Sequence, residues 1–342
     1  MKNKILLSII VILLPITIYM FSKKENIESE VTNSSQKDIY IHFLINNEMK
    51  ELPLEEYLVN VVGAEVPALF DIEALKAQAI ASRTFALYEE TTRGYVTTGD
   101  QAYNSLETFQ SKWQDNYNTY LAKIKKAVST TKNLIMTYEN NLIKSYFYAM
   151  SNGYTTTSLS VFNEELPYLN NILPTLDSPN TKLFQVTKTV SKTEFCDTLN
   201  IDCTHLKINN ILPTLDSPNT KLFEVTKTIS KTQFCKTLNI DCTYLKINNI
   251  TTDTSNRVEI ISINDTQYTG IDIRKKFNLR STDFTIEEDN DNIVFTTKGY
   301  GHGVGMSQYG ANTMAKNGSN YEDILKYYYQ GVEIKEYDKI SS

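Results

Sequence analysis

Histidine and tryptophan are nearly missing from this chain: three of the first and one of the second in 342 residues. No HExxH or CxxC pair occurs, so the common zinc frameworks lack their ligands. No GK[ST] follows a glycine-rich stretch, which removes the P-loop. Net charge is -6, and nothing basic enough to track nucleic-acid phosphates stands out, so no nucleic-acid partner is expected. The four cysteines sit in two C-x6-C pairs, Cys196/Cys203 and Cys235/Cys242, open to a local disulfide in each pair or to buried thiols. His205 lies near the first pair, but Tyr244 takes its place near the second, which argues against a metal cluster.

What the chain has is aromatic and apolar surface. Twenty-two tyrosines and 14 phenylalanines accompany a hydrophobic content of 41%, enough for a substantial core and for an aromatic-lined groove. Lys2 and Lys4 precede an apolar run, Ile5 to Phe21, without a small-residue cleavage site. The expectation is a retained signal anchor, with residues 1–4 cytoplasmic, 5–21 in the membrane and 22–37 a polar linker. A cleaved signal peptide is the alternative. The bulk of the chain, 38–336, is then extracytoplasmic, with 337–342 a tail.

Alternation at Ile39, Ile41, Phe43 and Ile45, a turn at Asn46-Asn47 and a return over Glu48 to Leu52 predict a hairpin. Helical spacing follows at Leu58, Val61 and Val62, then at Leu75, Ala79, Ala86 and Leu87. Pro67 disfavours helix at the residue before it, so the first helix ends near Glu65, and Asp71 caps the second. Glu65 is thus a carboxylate at a helix end among apolar neighbours. Desolvation there raises a pKa and suits a general acid. The structural alternative is a Glu that reaches water or pairs with Arg83. Further on, the pattern predicts a helix over Tyr117 to Thr131 and a hairpin of Leu134 to Tyr138 with Leu142 to Tyr148 turned at Asn140-Asn141. It also predicts a strand from Arg257 to Ile263, a helix from Thr269 to Phe277, and a hairpin of Phe284 to Glu288 with Ile293 to Thr297. Helices around Ser307 to Lys316 and Tyr321 to Tyr329 close an α+β domain.

Residues 172–210 recur at 211–249, a period of 39 with five differences. Two near-identical copies point to a duplicated segment of which the fold needs one. Late in the chain, glycines alternate at 299, 301, 303 and 305, which permits positive φ or close approach of a ligand. No dinucleotide fingerprint is formed. His302, Ser307, Gln308 and Tyr309 offer hydrogen bonds to sugar hydroxyl and acetamido groups, unless the segment is a strand-to-helix turn capped by Ser307.

EYLVNVVGAEVPALFDIEALKAQAIASRTFAL (Glu56 to Leu87), FYAMSNGYT (Phe147 to Thr155), LRSTDFTI (Leu279 to Ile286) and TTKGYGHGVGMSQYGANTMAKNG (Thr296 to Gly318) together resemble the SpoIID/LytB family of stage II sporulation proteins. The resemblance covers Ile39 to Glu336 apart from one repeat copy. It implies a single SpoIID-type domain with a substrate cleft behind a membrane helix. It implies a lytic transglycosylase acting on peptidoglycan strands stripped of stem peptides during engulfment. An amidase, SpoIIP, and a membrane protein, SpoIIM, are the implied partners. The catalytic Glu falls on Glu65. Substrate-binding positions fall on Arg83, Ser151, Tyr154, His302, Ser307, Gln308 and Tyr309. Some members carry a zinc cluster where this chain reads TTGDQAYNSLETF (Thr97 to Phe109). That stretch has no His or Cys, so neither zinc nor another cofactor is expected. The rival reading is a non-catalytic glycan-binding or scaffolding member. A third is an inverting hydrolase with Glu73 or Asp71 activating water.

Overall fold

Helix α2, Ile72–Arg93, is the element on which the site is built. Its 22 residues span about 33 Å at 1.5 Å per residue. Alanines at 74, 77, 79, 81 and 86 are buried along it, and small side chains let neighbours approach its backbone closely. Asp71 caps it by accepting from the Glu73 N–H, and Gly94, at φ 87°, ends it, a left-handed stop that only glycine adopts without strain. The computed structural model describes residues 38–177, 188–189, 224–241, 245–289 and 292–337. The apolar run Ile5 to Phe21 lies outside them. Among the described residues no helix is long and apolar enough to cross a membrane.

Strands β1 (Tyr40–Ile45) and β2 (Glu48–Pro53) pair antiparallel about Asn46 and Asn47, at φ 52° and 63°. Both central residues in the left-handed region make the tight hairpin turn that asparagine tolerates. Helix α1, Leu54–Glu65, follows at once and stops where Val66 turns extended at φ -130° ahead of Pro67. Strand β3 (Val96–Thr97) pairs parallel to β1. Helix α3, Leu106–Trp113, has no counterpart among the expectations, although Leu106, Phe109 and Trp113 are spaced for it and Ser105 caps it. Helix α4 is Tyr117–Thr130. Strands β4 (Leu134–Tyr138) and β5 (Asn141–Leu142) form the next hairpin. It turns at Glu139 and Asn140, both at positive φ, one residue earlier than expected. Strand β6, Phe147–Tyr148, leaves that hairpin. It pairs parallel with β14, Met306–Ser307.

After the short helix α5 (Ser158–Phe162) come β7 (Lys188–Thr189), β8 (Glu224–Ser230) and α6 (Lys231–Leu238). Strands β9 (Ile247–Thr252), β10 (Val258–Ile263) and β11 (Thr266–Thr269) form a meander. Helix α7, Gly270–Phe277, has a capping box of Thr269 with Asp272. Strands β12 (Phe284–Asp289) and β13 (Asn292–Lys298) complete a sheet ordered β12-β13-β8-β7. Beneath it Phe234, Phe277, Phe284 and Phe295 stack into one core with Ile229, Ile261 and Ile293. Helices α8 (Gln308–Lys316) and α9 (Tyr321–Tyr328) return to α2, and β15 (Glu333–Glu336) pairs with β4. Helices α1, α4, α8 and α9 all pack on α2. The architecture is mixed α+β.

The duplication is divided between its copies. Ile172 to Asp177, the opening of the first copy, is docked by Thr155 N–H to Leu173 O and by the Tyr154–Pro174 bridge. The strand and helix of the sheet core, β8 and α6, come from the second copy. The first copy contributes β7, whose Lys188 and Thr189 pair with Lys227 and Thr228, their own counterparts one period later. Cys235 is disulfide-bonded; the other three cysteines lie outside the described residues. Excising residues 178–216 therefore rejoins an uninterrupted single copy and removes only the two-residue β7 from the described fold. Because loop length costs little, about 0.6 kcal/mol per doubling, the shortened chain is expected to melt within about 1 kcal/mol of the parent by circular dichroism. Loss of the cooperative melt would show that β7 is required.

Candidate functional site

Glu65 is the last residue of α1. Val61, Val62, Val66 and Phe70 around it are buried. Its Oε1 accepts from the Ala102 N–H at 2.6 Å and its Oε2 from Gln308 Nε2 at 3.2 Å. Three distant segments thus meet: the end of α1, the loop after β3 and the start of α8. Tyr103 holds that loop in place, taking a hydrogen bond from Asn60 Nδ2 at 2.8 Å and stacking on Tyr57. Burial pushes the Glu65 carboxyl above the ordinary carboxylate range, and the Ala102 and Gln308 donors pull part of the way back. The expected balance of a general acid is therefore present in direction. The Ala102 donor is a backbone group, so no side-chain pattern could have announced it.

Arg83 does not face Glu65. It is 0% exposed and forks onto Glu55, Nε to Oε1 at 2.8 Å and Nη2 to Oε2 at 2.6 Å. Its remaining N–H groups reach the carbonyls of Leu134 and Val128. Substrate contact is corrected to a scaffold role: Arg83 locks the first turn of α1 to α2, α4 and β4. The pairing of Glu65 with Arg83 is corrected with it.

Ser151 and Ser307 are buried too, and their hydroxyls are taken. Ser151 Oγ donates to Tyr154 O at 2.9 Å, and Ser307 Oγ to Asp177 Oδ1 at 2.6 Å. Asp177 also accepts the Ser151 N–H at 3.0 Å. The serines expected to bind sugar instead tie the segment after β6 to the N-terminus of α8, through a buried carboxylate from the first repeat copy. Ser307 also accepts from the Gly310 N–H as the helix cap. Asp177 escaped the sequence reading because a lone Asp in a turn-forming stretch carries no signal of its partners. Tyr309 is buried, its ring edge-on to that of Phe70 with centroids 4.9 Å apart. Tyr154 is 44% exposed and free to meet a ligand.

The alternating glycines all have positive φ, and the loop lies against residues 146–152. At Gly305 the close approach is decisive: a Cβ there would stand 1.8 Å from Tyr146 O, a contact no side chain survives. His302 lies within this loop, and its Nδ1 takes the Val304 N–H at 3.1 Å, which places the imidazole proton on Nε2. Burial and the charges of Arg274 and Arg257 push its pKa down to about 3, so the ring is neutral in ordinary buffers. It lines a cavity of about 400 Å³ with Asp100, Lys144, Tyr146, Phe147 and Phe162. Tyr146 stacks on Phe162 at 4.2 Å. Charged groups beside aromatic faces suit a sugar ring. Asp71 is spent capping α2, and Glu73 holds Lys76 and the Tyr321 N–H.

One α+β frame thus carries a buried helix-end carboxyl, a glycine-rich loop and an aromatic-lined cavity. The family model described as SpoIID, stage II sporulation protein, matches residues 46–138. The chain is 35% identical to the stage II sporulation protein D of Bacillus subtilis over 91% of its own length and 82% of that protein's. It is 35% identical to the one of Bacillus amyloliquefaciens over 87% and 78%. It is also 29% identical to an amidase enhancer of Bacillus subtilis, over 82% of this chain and 40% of that protein. The chain belongs to the stage II sporulation protein D family, whose members take part in sporulation.

Proposed function

We propose that this protein is a lytic transglycosylase that cleaves peptidoglycan glycan strands denuded of stem peptides, during engulfment in endospore formation. It works from the outer face of the cell membrane, anchored by Ile5 to Phe21 as a single pass, alongside the SpoIIP amidase and the SpoIIM membrane protein. The observation that carries the reading is Glu65, a single carboxyl with a raised pKa and two directed hydrogen bonds.

Hydrolytic glycosidases need a second carboxylate to activate water or attack carbon. An intramolecular transfer does not. Glu65 gives its proton to the glycosidic oxygen between muramic acid and glucosamine units. The C1–O bond breaks, and the sugar's own C6 hydroxyl closes on C1. The Glu65 carboxylate then takes the C6 proton, which restores the acid. The protonated state needs an oxygen free of donors. Oε2 is that oxygen, because the Gln308 amide can rotate to present its own carbonyl, whereas the Ala102 N–H is fixed on Oε1. General acid–base help contributes about 10²–10⁴-fold, and positioning must supply the rest.

The test is digestion of denuded strands by the full chain, with products weighed. Cyclised 1,6-anhydro ends are one water lighter than reducing ends, and reducing ends would overturn the reading in favour of a hydrolase. A second reading, a non-catalytic glycan-binding or scaffolding member, draws on the relative named as an amidase enhancer. Strand binding without turnover, in a 178–216 deletion as well as in the parent, would select it.

A further inference from the structure

Arg257 is a charged side chain beside the glycine-rich loop that the mechanism above does not use. It is 3% exposed. None of its three guanidinium nitrogens meets a hydrogen-bond acceptor among the described residues. A buried guanidinium with five unanswered N–H groups is costly, and native interiors rarely leave one. The carboxylates around it do not answer it. Asp253 accepts on Oδ1 from Ser255 and from the Arg257 backbone N–H, and on Oδ2 from Thr156. Asp283 receives Asn152 on Oδ2. Glu259 is exposed to solvent. Arg274, a second cation, lies close enough for the charge of Arg257 to disfavour its own.

The guanidinium borders a cavity of about 240 Å³, whose other walls include Thr156, Ser160, Thr282 and two acidic residues, Asp253, whose oxygens are already hydrogen-bonded, and the solvent-exposed Glu259. That is less than the ~300 Å³ at which pockets begin to enclose a drug-sized ligand, so the space suits a substituent or a small ion. One wall is the loop itself. A Cβ on Gly303, at φ 86°, would lie 2.5–2.6 Å from Arg257 Cζ, Nη2 and Nε, so the guanidinium lies directly against the loop while also lining the cavity. A planar fork of donors is matched by a planar pair of acceptors.

We propose that Arg257 and this cavity form a binding site for a small carboxylate, held by two parallel N–H···O bonds. On the glycan-cleaving reading, on which this identification rests, the carboxylate is the one carried by the lactyl arm of muramic acid. A free small carboxylate is the other source of the same chemistry. Occupation would press on Gly303 and Val304, and so couple the recognised sugar to the loop that leads into Gln308 and Glu65.

The experiment is a thermal melt of the full chain with N-acetylmuramate, N-acetylglucosamine or lactate at equal concentration. The two sugars differ in the lactyl carboxylate. N-acetylmuramate is expected to raise the melting temperature, lactate to raise it less, and N-acetylglucosamine to leave it unchanged. Arg257→Met is expected to melt no lower than the parent without ligand, since it removes an unanswered buried charge, and to show no shift with any of the three. Equal shifts with both sugars, or a shift that survives Arg257→Met, would overturn the site. If lactate gives the larger shift, the site stands and its ligand is the free ion. Should Arg257→Met fail to fold, Arg257→Lys replaces it, with N-acetylmuramate binding at least tenfold weaker expected and unchanged binding fatal. Carboxylate binding in a chain that cleaves no strands sinks the enzyme reading alone. Cleavage without Arg257-dependent binding sinks the site alone.

Discussion

Glu65→Gln is expected to lower glycan-strand cleavage by at least about 10²-fold, and up to about 10⁴-fold, without lowering the melting temperature at neutral pH. The reason is a single desolvated carboxyl. In the folded chain its pKa stands above the ordinary value, so between the unfolded and folded values the native state holds more protons than the unfolded one. Stability from this group therefore falls as pH rises across that window. Gln carries no charge at any pH, keeps the size of the side chain, and removes that loss. The same sign governs catalysis: activity requires the acid form, so it declines as pH rises through the folded-state pKa. A variant that cleaves strands like the parent would end the case for Glu65. A variant that is inactive because it has unfolded would contradict the stability arm, and the two are separated by melting both proteins at pH 5 and pH 7.

Arg83→Met is expected to act through stability instead. The side chain is wholly buried, paired with Glu55 and bonded to two backbone carbonyls. Removing one member of such a set leaves Glu55 without its cation and two carbonyls without donors. Breaking a buried pair typically costs about 3–5 kcal/mol. Glu55 keeps some contact with water, which places the expectation at the lower end. For a chain of this size that is a fall in melting temperature of about 4–5 °C. In the folded remainder KM for glycan strands is expected to be unchanged. A stable Arg83→Met protein with a raised KM would return Arg83 to substrate binding.

The two residues show how far a linear reading reaches. Glu65 was legible because its signal is local: a helical apolar face, a proline two residues on, and a capping Asp that starts the next helix. Arg83 sits on an equally regular helix, but its partner is 28 residues away, and no periodicity says which neighbouring helix supplies an anion. Gln308 was identified as polar and near a helix start, yet its use, holding Glu65 across 243 positions, depends on α8 lying across α2.

Turns and periods are therefore what this sequence determined on its own: the Asn46-Asn47 hairpin, the end of α1, the Asp71 cap, the 39-residue repeat, and the four motifs that mark the family. Tertiary structure decided the rest. It sent Phe147–Tyr148 to β14 instead of the β4 hairpin, and it divided one repeat between two copies. It turned Ser151, Ser307 and Asp177 into a bolt, and left Arg257 buried without an acceptor under Gly303. Helix periodicity and caps are written within a few residues because backbone geometry is local. Pair selection between distant elements is settled only when their apolar faces are buried together, and two near-identical copies offer the core nearly the same face twice.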